Sequence, residues 1–226
     1  MLPKDDMTDQ SDKSYVRLLA DRVRSLRAVR HPVVVGLTGS PGAGKSTLAA
    51  RLVAELSADQ VAAYMPMDGF HLSNNQLVLL DKRNRKGAID TFDAYGYLAL
   101  LRRLRVERDH TVFAPAFPRS AEEPIAASIA IEPGTSYVIT EGNYLLSDLS
   151  PWNEIRAELD EVWFLDLPAE VRRGRLRARH VEYGKSPQEA DRWVRDVDEA
   201  NARRIEICRD AADFVVDMSL VGPQKG

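Results

Sequence analysis

The chain has 226 residues, 44% of them apolar and 29% charged, with a net charge of −3. That balance suits a globular domain with a proper core, and the slight acidity argues against nucleic acid or an anionic membrane as the main partner. A single cysteine, Cys208, excludes an internal disulfide framework and a cysteine metal cluster, and is expected to be a small core residue.

Residues 1–12 are polar and rich in Asp, so they are expected to be disordered, and they lack the apolar run of a secretion signal. No stretch is apolar enough to span a bilayer, which makes the cytoplasm the expected compartment. Residues 13–29 carry Val16, Leu19, Val23 and Leu26 at helical spacing, predicting an amphipathic helix against a sheet. Residues 33–37 are a short apolar, β-branched run that reads as a buried strand.

Next comes Gly39-Ser40-Pro41-Gly42-Ala43-Gly44-Lys45-Ser46-Thr47, which fits the phosphate-loop pattern G-x-x-x-x-G-K-[S/T]. Residues 48–56 follow as helix formers with Leu48, Leu52 and Leu56 on one face. Strand, glycine loop and helix together predict a nucleoside triphosphate site. Glycines let successive amides converge on phosphate oxygens, and the first helical turn adds unpaired N–H groups and partial positive charge. Lys45 is placed to reach the β- and γ-phosphates and Ser46 to ligate Mg²⁺. The expected nucleotide-binding set is thus Gly39, Ser40, Gly42, Ala43, Gly44, Lys45, Ser46 and Thr47. A glycine turn with no ligand is the bland alternative, and the flanks argue against it.

Residues 61–67 predict a second strand, weakened by Pro66, which cannot donate to a ladder. The strand delivers Asp68 to its carboxyl end, where doubly wound sheets bind ligands. Asp68 could take the proton of an attacking substrate hydroxyl or touch the metal, although an Asp before Gly69 is also a common turn. His71, in the same loop, reads alone as a surface or capping residue. Residues 81–87 form a charge run, either a solvated face or a segment covering a substrate. Thr91-Phe92-Asp93 caps a helix over 94–106. Residues 111–115 predict a third strand, a loop with Phe117, Pro118 and Arg119 follows, and residues 125–131 predict a short strand beside the main sheet.

Residues 137–142 are a further buried strand, delivering Glu141 to its tip. Two acidic tips beside a Lys-Ser loop predict a Mg²⁺ site of Ser46, Glu141 and Asp68. Ser150-Pro151 predicts a helix start with Ser as cap and Pro at the first position. Residues 161–167 predict a fifth strand, and Pro168 opens a helix with Arg172, Arg173, Arg175, Arg177 and Arg179. Arg175 and Arg179 share a face and suit a lid, about residues 172–186, that closes over the transferring phosphoryl group. A solvated basic face and RNA binding are the competing readings, the latter unsupported by aromatic interleaving. Ser186-Pro187-Gln188-Glu189 is a capping box opening a helix to about Arg209, and residues 213–217 predict the closing strand. The fold class is a three-layer α/β domain over 13–220, a mostly parallel sheet of about five strands with helices on both faces, followed by a tail at 221–226.

Taken together, these motifs resemble the uridine kinase, pantothenate kinase and phosphoribulokinase branch of the phosphate-loop kinases. The resemblance rests on residues 39–47, Met67-Asp68-Gly69-Phe70-His71, Arg85-Lys86-Gly87 with Thr91-Phe92-Asp93, Glu141-Gly142-Asn143-Tyr144-Leu145-Leu146, Arg175-Leu176 with Arg179-His180, Gly184, and Ala200-Asn201. Within the branch it looks most like bacterial proteins called fructose transport system kinases. It implies ATP and Mg²⁺, transfer to a hydroxyl of a small polar metabolite such as a sugar, and Asp68, Lys45, Arg175 and Arg179 as catalytic residues. The expected substrate-facing set is Asp68, His71, Phe117, Arg119, Glu141 and Asn143. Where uridine kinases carry Pro-x-Tyr-Asp, this chain has Pro115-Ala116-Phe117-Pro118, which weakens a uracil substrate, and Tyr183-Gly184-Lys185 alters their lid. The remaining readings are a nucleoside or pantothenate kinase and a nucleotide-hydrolysing switch or transport ATPase. Neither an Asn-Lys-x-Asp nor a Leu-Ser-Gly-Gly-Gln motif occurs to support that last class. No nucleic-acid or membrane partner is expected, and a homodimer is left open.

Overall fold

Both faces of the central sheet carry apolar side chains, and that dictates a layer of helices on each side. The computed structural model describes residues 4–26 and 31–222. In chain order the elements begin with α1 (Lys4–Ser25), β1 (Val33–Thr38), α2 (Lys45–Leu56), β2 (Ala62–Pro66), α3 (Asn74–Leu79) and α4 (Ala94–Val106). They continue with β3 (Val112–Ala116), β4 (Ile125–Ile131), β5 (Tyr137–Glu141), α5 (Trp152–Ala157), β6 (Glu161–Asp166) and α6 (Ala169–Glu182). The chain closes with α7 (Pro187–Trp193), α8 (Glu199–Glu206) and β7 (Phe214–Asp217).

Five strands form one parallel sheet in the order β2-β5-β1-β6-β7. Period-two alternation divides their side chains between two cores. Val33, Val35, Leu37 and Ile139 pack with Leu19 and Val23 of α1 and Leu48 and Leu52 of α2. Val34, Val138 and Val162 face the other way, onto Tyr97, Leu101 and Leu104 of α4 and Trp152 and Ile155 of α5. β2 is an edge strand, which is why Pro66 is tolerated at its end. Cys208 is half-buried against the α4 side of the core.

Several expectations need correcting. The stretch expected to be disordered is helical backbone from Lys4 onward, one helix with the amphipathic segment. Residues 27–29 of that predicted helix, 1–3 of the N-terminus and 223–226 of the tail lie outside the described residues. The strand at 112–116 does not join the main sheet: it pairs antiparallel with β4 in a separate two-stranded ribbon, whose Phe113 and Ile125 stay exposed. Ser150 makes no cap. Pro151 itself is the residue before α5, and Pro168 likewise stands one position before α6, so neither proline is inside its helix. The capping box at Ser186 and Glu189 forms with both hydrogen bonds, but the helix it opens is interrupted by a π-helical turn, Val194–Asp198, and ends at Glu206.

The two layers meet in a buried hydroxyl relay. Thr140 donates to the Met65 carbonyl at 2.6 Å, so the Tyr97 hydroxyl, also 2.6 Å away, must donate to Thr140 Oγ1. Burial raises the Tyr97 pKa well above the usual range and keeps it a donor. Thr140→Val leaves that donor without an acceptor, and urea titration should show a stability loss of about 1–3 kcal/mol. An unchanged midpoint would show that the relay contributes nothing.

Candidate active site

Strand register assembles the site. Pro66 of β2 pairs with Glu141 of β5, and Glu141 pairs with Leu37 of β1, so three strand ends lie level. β5 lies between the other two. Glu141 therefore stands between the glycine loop after β1 and the turn Met67–Phe70 after β2, in a span of about 10 Å set by strand spacing.

The loop needs its glycines for two distinct reasons. Gly42 has φ +81° and a Cβ there would meet the Arg172 carbonyl at 2.8 Å, so the loop is pressed against α6. Gly44 is left-handed at the N-cap of α2 and makes no side-chain cap, and no carboxylate sits in the first helical turn. The first amides of α2 thus carry their partial positive charge toward the cavity without a competing acceptor. Pro41, Gly42, Gly44, Lys45, Ser46 and Thr47 line a cavity of about 1100 Å³, together with Asp68, Glu141, Asn143, Arg175 and Arg179. Gly39, Ser40 and Ala43 lie behind that surface. The Gly39 carbonyl accepts from Lys45 Nζ at 2.8 Å, the Ser40 hydroxyl donates to Glu206 at 2.5 Å, and the Ala43 amide donates to the Ser40 carbonyl.

Charge and burial are set against one another here. Lys45 is 9% exposed, and burial pushes its pKa down to about 8 against the pull of Glu141 and Asp68. Glu141 is 4% exposed, and burial together with the Asp68 charge raises its carboxyl above the usual range. Its Oε1 accepts from Ser46 Oγ at 3.2 Å and from the Tyr64 hydroxyl at 2.9 Å. Among the described residues no cluster of three His, Cys, Asp or Glu forms a metal cage. A Mg²⁺ bound mainly through phosphates needs only one or two protein oxygens, and the Ser46 hydroxyl against the Glu141 carboxylate supplies such hard donors. The residues fit that ion.

Asp68 lies at the other side of Glu141 with its side chain 42% exposed. His71 Nδ1 is 2.8 Å from the Asp68 carbonyl, which can only accept, so Nδ1 carries the proton. Burial lowers the His71 pKa, and in the neutral ring Nε2 is an acceptor. The ring packs between Phe92 and Phe117, at centroid distances of 4.1 and 4.7 Å, and Lys86 sits over Phe117. Arg119 also lines the cavity.

The arginines of α6 divide by role. Arg175 and Arg179 face the cavity, whereas Arg173 pairs with Glu170 and Glu199, and Arg177 with Asp191. Arg172 is buried and donates to the Pro41 carbonyl at 3.2 Å and to Glu199 at 3.3 Å, bracing the loop from behind. Sequence spacing missed Tyr64, Arg172, Glu199, Glu206 and the His180–Asp198 pair at 2.8 Å, because each depends on a contact between distant elements. The glycine that Arg172's helix packs against was the one available signal. No helix among the described residues is long and apolar enough to cross a membrane.

The chain matches no protein-family model. It is 34% identical over 183 residues, 78% of its length and 78% of the relative's, to a provisionally named uridine kinase of Schizosaccharomyces pombe. The chain belongs to the uridine kinase-like phosphate-loop kinases. An ATP-dependent kinase-like protein of Aspergillus versicolor is 39% identical to the kinase over 131 residues, 55% of this chain and 76% of that one. A crystal structure from Silicibacter sp. TM1040, provisionally described as a fructose transport system kinase, is 36% identical, with a TM-score of 0.82 over 89% of this chain and 98% of that chain. The protein is thus an ATP-dependent small-molecule phosphotransferase with the fold expected from its sequence.

The buried Lys45 of this kinase gives a pH signature. Its folded pKa lies below the unfolded value of 10.5, so between about pH 8 and 10.5 the unfolded chain binds the extra proton and stability rises with pH. Compared with Lys45→Met by urea titration, the wild type should gain on the order of 1–3 kcal/mol between pH 8 and 10. A difference that stays flat would show that Lys45 is not desolvated.

Proposed function

We propose that this kinase transfers the γ-phosphoryl group of ATP to a hydroxyl of a small polar metabolite, most simply a sugar, with Mg²⁺ beside Ser46 and Glu141. The observation that carries this reading is the hydrogen bond from Ser46 to Glu141, at a strand end level with Pro66, two residues before Asp68. Gly42, Gly44 and the first amides of α2 hold the phosphates, and Lys45 meets the β- and γ-oxygens. Mg²⁺, when bound, neutralises charge on the β- and γ-phosphate oxygens. Asp68 takes the proton of the acceptor hydroxyl as its oxygen bonds to phosphorus and the bond to ADP breaks. Arg175 and Arg179, on a lid formed by α6 and the segment after it, stabilise the charge of the transferring group. His71 Nε2 accepts from a second hydroxyl and so orients the acceptor, with Phe117, Arg119 and Asn143 completing that wall.

Transfer is favoured over idle hydrolysis because the cavity lining continues past the phosphate loop and Asp68 to an aromatic wall of His71, Phe92 and Phe117. The self-paired outer arginines Arg173 and Arg177 give no support to a nucleic-acid role. ATP as donor fits the cytoplasm.

A coupled ADP-release screen over sugars, nucleosides, pantothenate and similar alcohols tests the reading, which expects release to depend on acceptor. ATP hydrolysis indifferent to every acceptor would contradict it. Asp68→Asn should retain nucleotide affinity and lose transfer by on the order of 10²-fold or more. Near-normal turnover in that variant would remove Asp68 from the mechanism.

A further inference from the structure

The glutamate at the tip of β5 is held from two directions. In the register of β2 against β5, Tyr64 pairs with Ile139, and Glu141 follows two residues on. Side chains two apart on a strand share a face, so Ile139 and Glu141 both project toward α2. Ile139 packs there with Leu48 and Leu52, and the Tyr64 ring packs against the same core. Tyr64 therefore meets Glu141 along a diagonal between neighbouring strands, a span that an aromatic side chain bridges. Ser46, in the first turn of α2, reaches the same carboxylate from the helix.

Both hydroxyls donate to one oxygen. Tyr64 Oη is 2.9 Å from Glu141 Oε1, and Ser46 Oγ is 3.2 Å from it. Hydroxyl hydrogen bonds to oxygen commonly span about 2.5–3.0 Å, so the tyrosine bond is the firmer hold and the serine bond is long. With two donors on Oε1, Oε2 is left for the cavity that Glu141 lines. Ser46 likewise keeps its proton on Oε1 and its oxygen lone pairs for the cavity. Tyr64 does not belong to the cavity lining, so whatever it contributes to a ligand passes through Glu141.

We propose that Tyr64 is a positioning residue for the Mg²⁺ site. Its hydroxyl fixes the Glu141 carboxylate, and through it the Ser46 hydroxyl, in the orientation that receives the ion. Outer partners that orient metal-facing side chains are commonly worth roughly 10–100-fold in metal affinity, which sets the size of effect to look for. This inference rests on the kinase reading above.

Calorimetry on the full chain with a non-hydrolysable ATP analogue tests it, with Mg²⁺ titrated at fixed analogue and the same binding measured in EDTA. In Tyr64→Phe, which keeps the ring and its packing, the Mg²⁺ concentration for half-maximal analogue binding should rise about tenfold or more. Affinity for the metal-free analogue, which reads the glycine loop and the fold, should stay within about twofold. Action through Glu141 has a second signature. In a Glu141→Gln background the same tyrosine substitution should shift the Mg²⁺ requirement by less than about twofold. An unchanged Mg²⁺ requirement in Tyr64→Phe would overturn the proposal. So would equal weakening with and without Mg²⁺, the mark of a general structural role, or a full shift that persists in the Glu141→Gln background. A wild-type chain whose analogue binding ignores Mg²⁺ would overturn the kinase reading itself, and this inference with it.

Discussion

A lysine and a glutamate held out of water, a few residues' width apart, constrain everything else in this molecule. Lys45 sits at the start of α2 and Glu141 at the end of β5, both almost fully buried. Desolvating either charge alone would cost several kcal/mol, and the pair tolerates burial because each offsets part of the other's penalty. Burial still wins on balance: it lowers the lysine and raises the glutamate. The contacts that hold the pair are mostly neutral, namely the Gly39 and Ser40 carbonyls for Lys45 and the Ser46 and Tyr64 hydroxyls for Glu141. On the proposed reading, the phosphates and the Mg²⁺ would meet groups already stripped of water, which is how a preorganised site gains over bulk solvent.

The loop that carries Lys45 is held in shape from outside the sheet. Arg172 joins the Pro41 carbonyl to Glu199, and the Ser40 hydroxyl reaches Glu206 on the same helix α8. One face of α6 therefore carries two tasks, since Arg172, Arg175 and Arg179 follow at i, i+3 and i+7: Arg172 braces the loop, and Arg175 and Arg179 look into the cavity. The π-helical turn before α8 sets Asp198 against His180 of α6, a further tie between the arginine helix and the C-terminal helices. Any movement of α6 over the cavity would pass through these ties, so loop geometry and arginine placement are mechanically linked.

Much of this was legible in the residues, and the reasons differ by element. The glycine loop, both acidic strand tips and the central strands β1, β5 and β6 follow from local pattern, since a buried parallel strand and a phosphate loop each leave a short, dense signature. The edge strands β2 and β7, only half-buried, left a weaker one. The ribbon of β3 and β4 was legible as strands, but its separation from the sheet depends on Phe113 and Ile125 finding no covering layer. Pro151 and Pro168 stand at the N-cap rather than at the first helical position, a one-residue difference that a sequence pattern for a helix start does not resolve. Arg172 was visible only as one of five arginines, and nothing local distinguishes the brace from its neighbours. Its role depends on a contact 131 residues away in the chain. Tyr64 was hidden in the same way, since its hydroxyl meets Glu141 across a strand pairing.

The most direct test of the account is a crystal structure with Mg²⁺ and a non-hydrolysable ATP analogue. The account requires the triphosphate to lie on the amides of Gly42, Gly44 and the first turn of α2, with the ion about 2.1 Å from Ser46 Oγ and on the Glu141 side of the cavity. A nucleotide seated elsewhere, or an ion with no oxygen of Ser46, Glu141 or Asp68 in its first or water-bridged contacts, would contradict it.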